Sequence, residues 1–175
     1  SAPPPSSTRI KDITFESGSL VNATNGVDAV VGTVAVETAA PLKGSTSASI
    51  NSSSGYLRED ISAVDELYVS FLLKVNALNP SARLVMISNG SANVGVLYLT
   101  STGALQLRNG STTIATGAQT LTPGVVYRVG LHQKKGSGSN AVLEAYLATG
   151  DAAFTTPFAA STSQTFTTQA TRVSL

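Results

Sequence analysis

Apolar and polar residues alternate along most of this chain, and short groups of glycine, asparagine and serine interrupt the alternation. Side chains of a β-strand point to opposite faces in turn, so a period of two predicts half-buried strands. The clearest pattern covers residues 94–147, where alternating segments are separated by Ser-Thr-Gly at 101–103, Asn-Gly at 109–110 and a Gly/Ser-rich turn at 134–140. Such breaks favour hairpin turns, so this stretch predicts an antiparallel meander with one buried face.

Segments on either side of this stretch also predict strands. They lie at residues 10–20, 29–37, 45–51, 66–75 and 82–88, and residues 172–175 are predicted to begin a last strand. The segment 66–75 is the longest hydrophobic one and carries apolar residues on both faces of its second half, which predicts a central strand. Glu59 and Asp60 are expected to form an acidic turn, and residues 150–171 a long connection across one end of the molecule.

The spacing of these segments predicts the fold class. Strands at intervals of about 8–12 residues, with turns between them, are typical of an all-β antiparallel sandwich. No segment has sustained helical periodicity, so we expect almost no helix. We assign residues 10–175 to a single β-sandwich domain. Residues 1–9 are rich in proline and serine and are expected to form a flexible extended arm, because proline fixes φ and disfavours helix in the residue before it.

Composition then narrows the functional classes. The chain is 42% hydrophobic and 12% charged, with a net charge of +1 and no cysteine. Without an excess of positive charge there is no field to attract nucleic acid, so we expect no nucleic-acid partner. No apolar run reaches the roughly 18 residues that a membrane span needs, so we expect no membrane insertion. The lack of cysteine excludes disulfides and thiolate metal sites.

Five segments together carry a resemblance to a known family. They are residues 13–18 (Ile-Thr-Phe-Glu-Ser-Gly), 42–44 (Leu-Lys-Gly) with the strand that ends at Asn51, 66–75, 121–130 with its Tyr127, and 140–147. In this order they resemble the concanavalin A-like, or laminin-G-like, jelly roll of lectins and glucanases. The resemblance implies a jelly-roll sandwich over about residues 10–175, and it implies a fold rather than an activity.

The resemblance implies two further expectations. Many members hold calcium at a sandwich edge, which makes Glu16, Asp28 and Asn140 the calcium candidates, although no Asp-x-Asp loop is present; we expect no other cofactor. Members usually finish with a strand beyond the position of Leu175. Either the C-terminus is cut or disordered, or the first strand has an unpaired position beside it, and we predict that the termini take part in assembly.

The acidic residues do not predict a catalytic site. A retaining glycosidase needs two carboxyl groups about 5–5.5 Å apart, which alternate positions of one strand can supply. The local acidic groups are Asp12/Glu16, Glu59/Asp60 and Asp65/Glu66. None of them lies in an aromatic-rich strand with that spacing. His132, the only histidine, is predicted to pair with Glu144 across a hairpin on an exposed face. We therefore predict no catalytic residue and no enzyme activity.

Carbohydrate binding depends on exposed aromatic rings and on polar side chains beside them. The candidates for a glycan site are Tyr56, Arg58, Tyr98, Gln106, Arg108 and Tyr146. Tryptophan is absent and most aromatic residues fall at inward strand positions, so burial in the core explains each tyrosine as well. The sequence leaves both interpretations open.

Two functions of different classes follow from these observations. The first is a non-catalytic structural or assembly protein of an extracellular or viral surface, a subunit or decoration protein that associates with itself or with other surface or virion proteins. Low charge, neutral Ser/Thr-rich faces and the proline-rich arm favour it. The alternative is a carbohydrate-binding or adhesion module of a secreted bacterial protein, which the family resemblance implies.

Overall fold

A computed structural model of the chain describes residues 8–78, 81–90, 92–161 and 163–175, and for Asn93 and Val94 it describes the backbone alone. The regular structure of these residues is β-strand without helix, as the alternation predicts. The strands are β1 (Ala29–Val31), β2 (Val34–Glu37), β3 (Ser47–Ile50), β4 (Tyr56–Val64), β5 (Glu66–Lys74), β6 (Ser81–Ser88), β7 (Asn93–Thr100), β8 (Ala104–Asn109), β9 (Thr112–Thr120), β10 (Val126–Lys134), β11 (Gly136–Gly138), β12 (Val142–Thr149), β13 (Ala159–Ser161), β14 (Gln164–Phe166) and β15 (Ala170–Ser174).

Two antiparallel sheets form a β-sandwich, which confirms the predicted fold class. Sheet A has seven strands in the order β1-β4-β15-β6-β7-β8-β9, and sheet B has four in the order β13-β12-β10-β5. Two short ribbons, β2–β3 and β11–β14, lie beside them. Most residues of the predicted arm, 1–7, lie outside the described residues. In the part of the chain that is described, no helix has the length and apolar character to cross a membrane.

The core lies between the inward faces of the two sheets. Sheet A contributes Ile87, Leu97, Leu105 and Leu107, and sheet B contributes Val129, Leu131 and Leu143, all at most 1% exposed. Complete burial of one such aliphatic side chain stabilises the fold by about 1.5–3 kcal/mol. The alternating side chains of the same strands point outward, so each sheet presents its other face away from the core.

The predicted strand at residues 10–20 is wrong. Thr14 and Phe15 both donate their backbone N–H to the carbonyl of Asn25, which makes an irregular contact rather than a strand ladder. Phe15 has a φ of 59°, in the left-handed region, and an L-residue in that region cannot continue an extended strand. Glu16 and Gly18 then form the following turn.

Three other boundaries differ from the prediction. Residues 29–37 form two strands, β1 and β2, because the chain turns at Gly32 with a φ of 67°. The expected acidic turn at Glu59 and Asp60 is wrong, since both residues lie within β4. Glu59 is buried there, and Lys11, which pairs with its carboxylate at 2.7 Å, compensates the buried charge. The expected connection at 150–171 contains the short strands β13 and β14.

The predicted central position of residues 66–75 is also wrong, because β5 forms an edge of sheet B. The apolar residue on the outer face of β5 is Leu72. It lies opposite Arg128 of β10 and is half-buried there. An apolar outward residue beside a long arginine stem does not require a neighbouring strand on each side.

The predicted meander is divided between the two sheets. Strands β7, β8 and β9 form consecutive hairpins in sheet A, whereas β10 and β12 pair in sheet B. The chain crosses from one sheet to the other at residues 121–125, where Gly124 has a φ of 82° and donates its N–H to the carbonyl of Val75. The strand β9 was not predicted, because its Thr- and Ala-rich sequence has no strong alternation.

The last strand, β15, has a neighbouring strand on each side. β15 lies inside sheet A and pairs antiparallel with β4 on one side and with β6 on the other. Leu175 adds two backbone hydrogen bonds to Leu57, of 2.8 and 2.9 Å. The expected unpaired position beside a first strand is therefore wrong, since residues 10–20 form no strand and β15 is paired on both sides. That the termini take part in assembly stays a prediction.

Candidate functional site

A row of three polar side chains crosses the outer face of sheet B. In the register of the sheet, His132 of β10 lies between Tyr68 of β5 and Glu144 of β12. Their strand neighbours at alternate positions, such as Leu131, point into the core. Period-two alternation therefore places all three on the side away from sheet A.

His132 is held from both sides by carboxylates. Its Nδ1 lies 3.0 Å from Oε2 of Glu144 and its Nε2 lies 2.9 Å from Oε1 of Glu66. Both contacts are hydrogen bonds at the same time only when the ring is a doubly donating imidazolium. The predicted pair of His132 with Glu144 is confirmed, but the predicted exposed position is wrong. The residue His132 is 5% exposed, and Tyr68 stacks on its ring with centroids 3.8 Å apart.

Glu144 also accepts a hydrogen bond from the hydroxyl of Tyr146, at 2.7 Å. Partial burial opposes the ionisation of Glu144, but the hydrogen bonds from His132 and Tyr146 outweigh it, and the pKa of Glu144 lies below its ordinary value. Burial and the neighbouring Glu144 carboxylate raise the pKa of Tyr146. Burial and Glu66 raise the pKa of Tyr68 in the same way. The cluster thus keeps its carboxylate ionised and its phenols neutral.

A recess lies beside this cluster and is named here the Gly130 recess. Its volume is about 210 Å³, and it is lined by Tyr68, Val69, Ser70, Arg128, Gly130, Leu131, Tyr146 and Phe154. Gly130 is part of its floor, and a Cβ added there would lie 2.8 Å from the ring of Phe154. The absence of a side chain at Gly130 therefore lets Phe154 pack on the sheet, where its ring centroid is 5.4 Å from that of Tyr146.

Phe154 comes from the connection between β12 and β13, and one ion pair joins this connection to sheet B. Asp151 binds Arg128 of β10, and it accepts a second pair from Lys43 at 2.7 Å. These two hydrogen-bonded cations lower the pKa of Asp151. The ion pair between Asp151 and Arg128 thus connects the segment that carries Phe154 to sheet B.

The outer face of sheet A brings together three of the predicted glycan residues. Tyr98 of β7 lies opposite Gln106 of β8. The guanidinium of Arg108 lies over the ring of Tyr98, 3.6 Å from its centroid. It also donates two hydrogen bonds to Oε1 of Gln106, of 3.1 Å from Nε and 2.5 Å from Nη2.

The other predicted glycan residues lie elsewhere. Tyr56 and Arg58 are on β4 of the same face, but β15 and β6 separate β4 from β7, a distance of about 14 Å at the usual strand spacing. Arg58 pairs there with Asp60, which also binds Arg172. Tyr146 lies on sheet B and belongs to the Gly130 recess. The six residues therefore form no single site.

The calcium candidates occupy three separate places. The carboxylate of Glu16 accepts hydrogen bonds from the side chain and backbone of Ser45 and from Thr46, and these bonds lower its pKa. Asp28 accepts from the backbone N–H of Asp60, and Asn140 lies in the turn before β12. In the ranges that the structure describes, His, Asp and Glu form no group of three or more arranged to hold a metal ion.

Sequence reasoning missed Glu66, Tyr68 and Phe154. In the sequence Glu66 stands out only together with Asp65 as a local acidic group, and Tyr68 belongs to a segment whose neighbours in the sheet the sequence does not identify. Phe154 lies in a connection whose path over sheet B the sequence does not indicate. One signal in the sequence could have indicated the recess. The alternation of the two hairpin strands places Gly130 directly opposite Tyr146, and a glycine beside an aromatic residue leaves room for another ring.

Comparisons with protein-family models, with curated proteins and with solved structures found no match to this chain.

Proposed function

We propose that this chain is a non-catalytic carbohydrate-binding module of a secreted or surface-exposed protein, and that a sugar ring binds in the Gly130 recess. The observation that carries the proposal is the wall of three aromatic rings, from Tyr68, Tyr146 and Phe154, around a floor that includes Gly130. Aromatic rings with polar edges offer both an apolar surface for the faces of a sugar and hydrogen bonds for its hydroxyls.

The size and the polar groups of the recess fit one sugar ring. Its volume of about 210 Å³ is below the roughly 300–1,000 Å³ of sites for drug-sized ligands, so we expect a single pyranose inside and the rest of a chain outside. Ser70 and Arg128 add a hydroxyl and a guanidinium to the lining, and Glu144 orients the Tyr146 hydroxyl beside them. The resemblance of the sequence to concanavalin A-like lectins, as a proposed relationship, also favours a carbohydrate ligand.

The carboxylates of the cluster support binding rather than hydrolysis. Glu66 and Glu144 hold the two nitrogens of one imidazole, so the space between them, where a glycosidic bond would have to lie, is filled by His132. Glu144 also has a lowered pKa, whereas a general acid for glycoside cleavage needs a raised one. The proposed role of the cluster is to position Tyr68 and Tyr146.

A glycan array that includes neutral glucans, mannans and galactans tests this proposal, followed by calorimetry with the best-bound neutral oligosaccharide. We expect binding, and we expect Tyr68→Ala to weaken it by tenfold or more, because the variant removes one wall of the recess. The matched control is Tyr56→Ala: the two tyrosines are 38% and 36% exposed, but Tyr56 lies on sheet A. Equal losses in both variants, or no neutral glycan bound at all, would contradict the proposal.

A second function, an assembly subunit of an extracellular or viral surface, is favoured by strand β9. This strand is an edge of sheet A, and its sequence Thr-Thr-Ile-Ala-Thr-Gly-Ala-Gln-Thr has neither charge nor proline. Edge strands that do not pair with other chains usually carry a charged residue or a proline, and β9 carries neither. Light scattering separates the two functions: a monomer supports the binding module, whereas a defined oligomer that Ala118→Lys dissociates supports assembly.

A further inference from the structure

Arg83 reaches the outer face of sheet A because β6 contains a bulge. With regular alternation, Arg83 would share the inward face of Val85 and Ile87. The register between β6 and β7 shifts between Arg83 and Val85, and the extra residue of a bulge turns the side chains before it to the other face. Arg83 therefore lies opposite Tyr98.

Arg83 and Arg108 line the same cleft, named here the arginine cleft. Its volume is about 210 Å³, and it is lined by Arg83, Val96, Tyr98, Arg108, Gly110 and Ser111. Tyr98 and Gln106 fix the orientation of the Arg108 guanidinium, with the cation–π contact of 3.6 Å on one side and the two hydrogen bonds on the other. A guanidinium held in this way has already lost most of its rotamer freedom before a ligand arrives.

These two arginines differ from the others in the chain. Arginines 9, 58, 128 and 172 each form an ion pair with an aspartate. Among the described residues no carboxylate pairs with Arg83 or Arg108; the hydrogen bonds of Arg83 and Arg108 go to Sδ of Met86 and to Gln106. Asp60, the acidic residue on β4 of this face, is already bound by two arginines. In the described part of the chain, the arginine cleft therefore holds two positive charges without a partner of opposite sign.

We infer that the arginine cleft binds an acidic saccharide through its carboxylate or sulfate group. A guanidinium presents paired N–H donors that match these planar or tetrahedral anions, and two of them can share one anion. Ser111 adds a hydroxyl group to the lining, and the phenol of Tyr98 adds a second one; both suit sugar hydroxyls. This inference goes beyond the binding of a neutral sugar in the Gly130 recess and does not depend on it, because the two sites lie on opposite sheets.

Calorimetry on the full chain tests the inference with five probes: an oligogalacturonate, a sulfated heparin-derived oligosaccharide, neutral cellohexaose, an oligoglutamate peptide and sodium phosphate. We expect binding of one or both acidic saccharides, with affinity falling as salt rises. We expect Arg83→Gln and Arg108→Gln each to weaken this binding by tenfold or more. Arg9→Gln removes the same charge at an exposed position away from the cleft and is expected to change affinity less than twofold.

Several outcomes would overturn the inference. Cellohexaose binding that Arg83→Gln weakens as strongly as it weakens the binding of the acidic saccharides would show that the cleft does not recognise charge, whereas cellohexaose binding that this variant leaves unchanged belongs to another site, such as the Gly130 recess. Oligoglutamate bound more tightly would assign the cleft to an acidic protein partner, and phosphate bound equally well would reduce it to a general anion site. An equal loss in Arg9→Gln would show only an effect of net charge. If Arg108→Gln fails to fold, Arg83→Gln decides alone, because Arg83 is exposed and its side chain contacts only Met86 by hydrogen bonding.

Discussion

Two clusters, one on the outer face of each sheet, use their charged residues in opposite ways. On sheet B, Glu66 and Glu144 hold His132 between them, and Tyr68 covers the ring. On sheet A, Arg83 and Arg108 have no carboxylate partner among the described residues and border an open cleft. Both faces belong to antiparallel sheets, so the difference arises from the side chains that each face carries and from the bulge in β6 that brings Arg83 to the outer face.

This contrast separates two kinds of candidate site. Around His132 the ionisable groups pair with one another, so their charges are not available to a ligand. A ligand there would meet aromatic ring surfaces and oriented hydroxyl groups. Where guanidiniums are held in place without an anion, as in the arginine cleft, the charge itself is available to a ligand. We therefore expect a neutral ligand on sheet B and an acidic one on sheet A.

The largest predicted effect on stability is that of His132→Phe. Phenylalanine keeps the stack on Tyr68 but removes both contacts to the carboxylates, and it leaves Glu144 half-buried with only Tyr146 as donor. Because a hydrogen bond to a charged group contributes about 1.5–3 kcal/mol and Glu66 is partly exposed, we expect the free energy of unfolding to fall by about 2 kcal/mol. Urea unfolding of the full chain measures it.

Two further variants sharpen this prediction. Lys134→Gln, at an exposed position of the same strand, is expected to change the free energy of unfolding by less than about 0.5 kcal/mol. Glu144→Gln added to His132→Phe is expected to recover part of the loss, since it removes the carboxylate that His132 no longer compensates. A His132→Phe variant as stable as the wild type would show that the cluster is not held together by charge.

A smaller effect is expected from the pH dependence of Glu144→Gln. The pKa of Glu144 in the folded chain lies below its ordinary value of 4.5, so its contribution to stability is present above pH 4.5 and is lost as the pH falls through the lower folded value. We expect the variant to be about 1 kcal/mol less stable than the wild type at pH 6 and the difference to shrink below pH 4.5. Unfolding curves between pH 3 and 7 measure it, with Lys134→Gln as the control that follows the wild-type profile. A difference that grows on acidification would contradict the assigned direction.

Local alternation was enough to predict most of the strands, because it depends only on which side chains face the core. The segments at 82–88 and 94–99 and the return arm at 140–147 correspond to β6, β7 and β12. The confirmed pair of His132 with Glu144 came from the same reasoning, since a hairpin fixes which residues lie opposite one another.

Other features depend on contacts that no single segment contains. The edge position of β5 and the crossing at 121–125 follow from how whole strands are arranged in the two sheets. Phe154, in the connection between β12 and β13, completes the Gly130 recess. The bulge in β6 points the side chain of Arg83 towards the arginine cleft. The glycan candidates were therefore grouped wrongly as one set, although Tyr98, Gln106 and Arg108 do meet.

The most direct test of the difference between the two faces is a pair of NMR titrations of the ¹⁵N-labelled chain, one with the neutral oligosaccharide selected on the array and one with oligogalacturonate. We predict that the neutral ligand shifts amide signals of β5, β10 and β12 around Gly130, and that the acidic ligand shifts those of β6, β7 and β8 around Tyr98. Shifts from both ligands on one and the same sheet, or no shifts from either, would contradict the account.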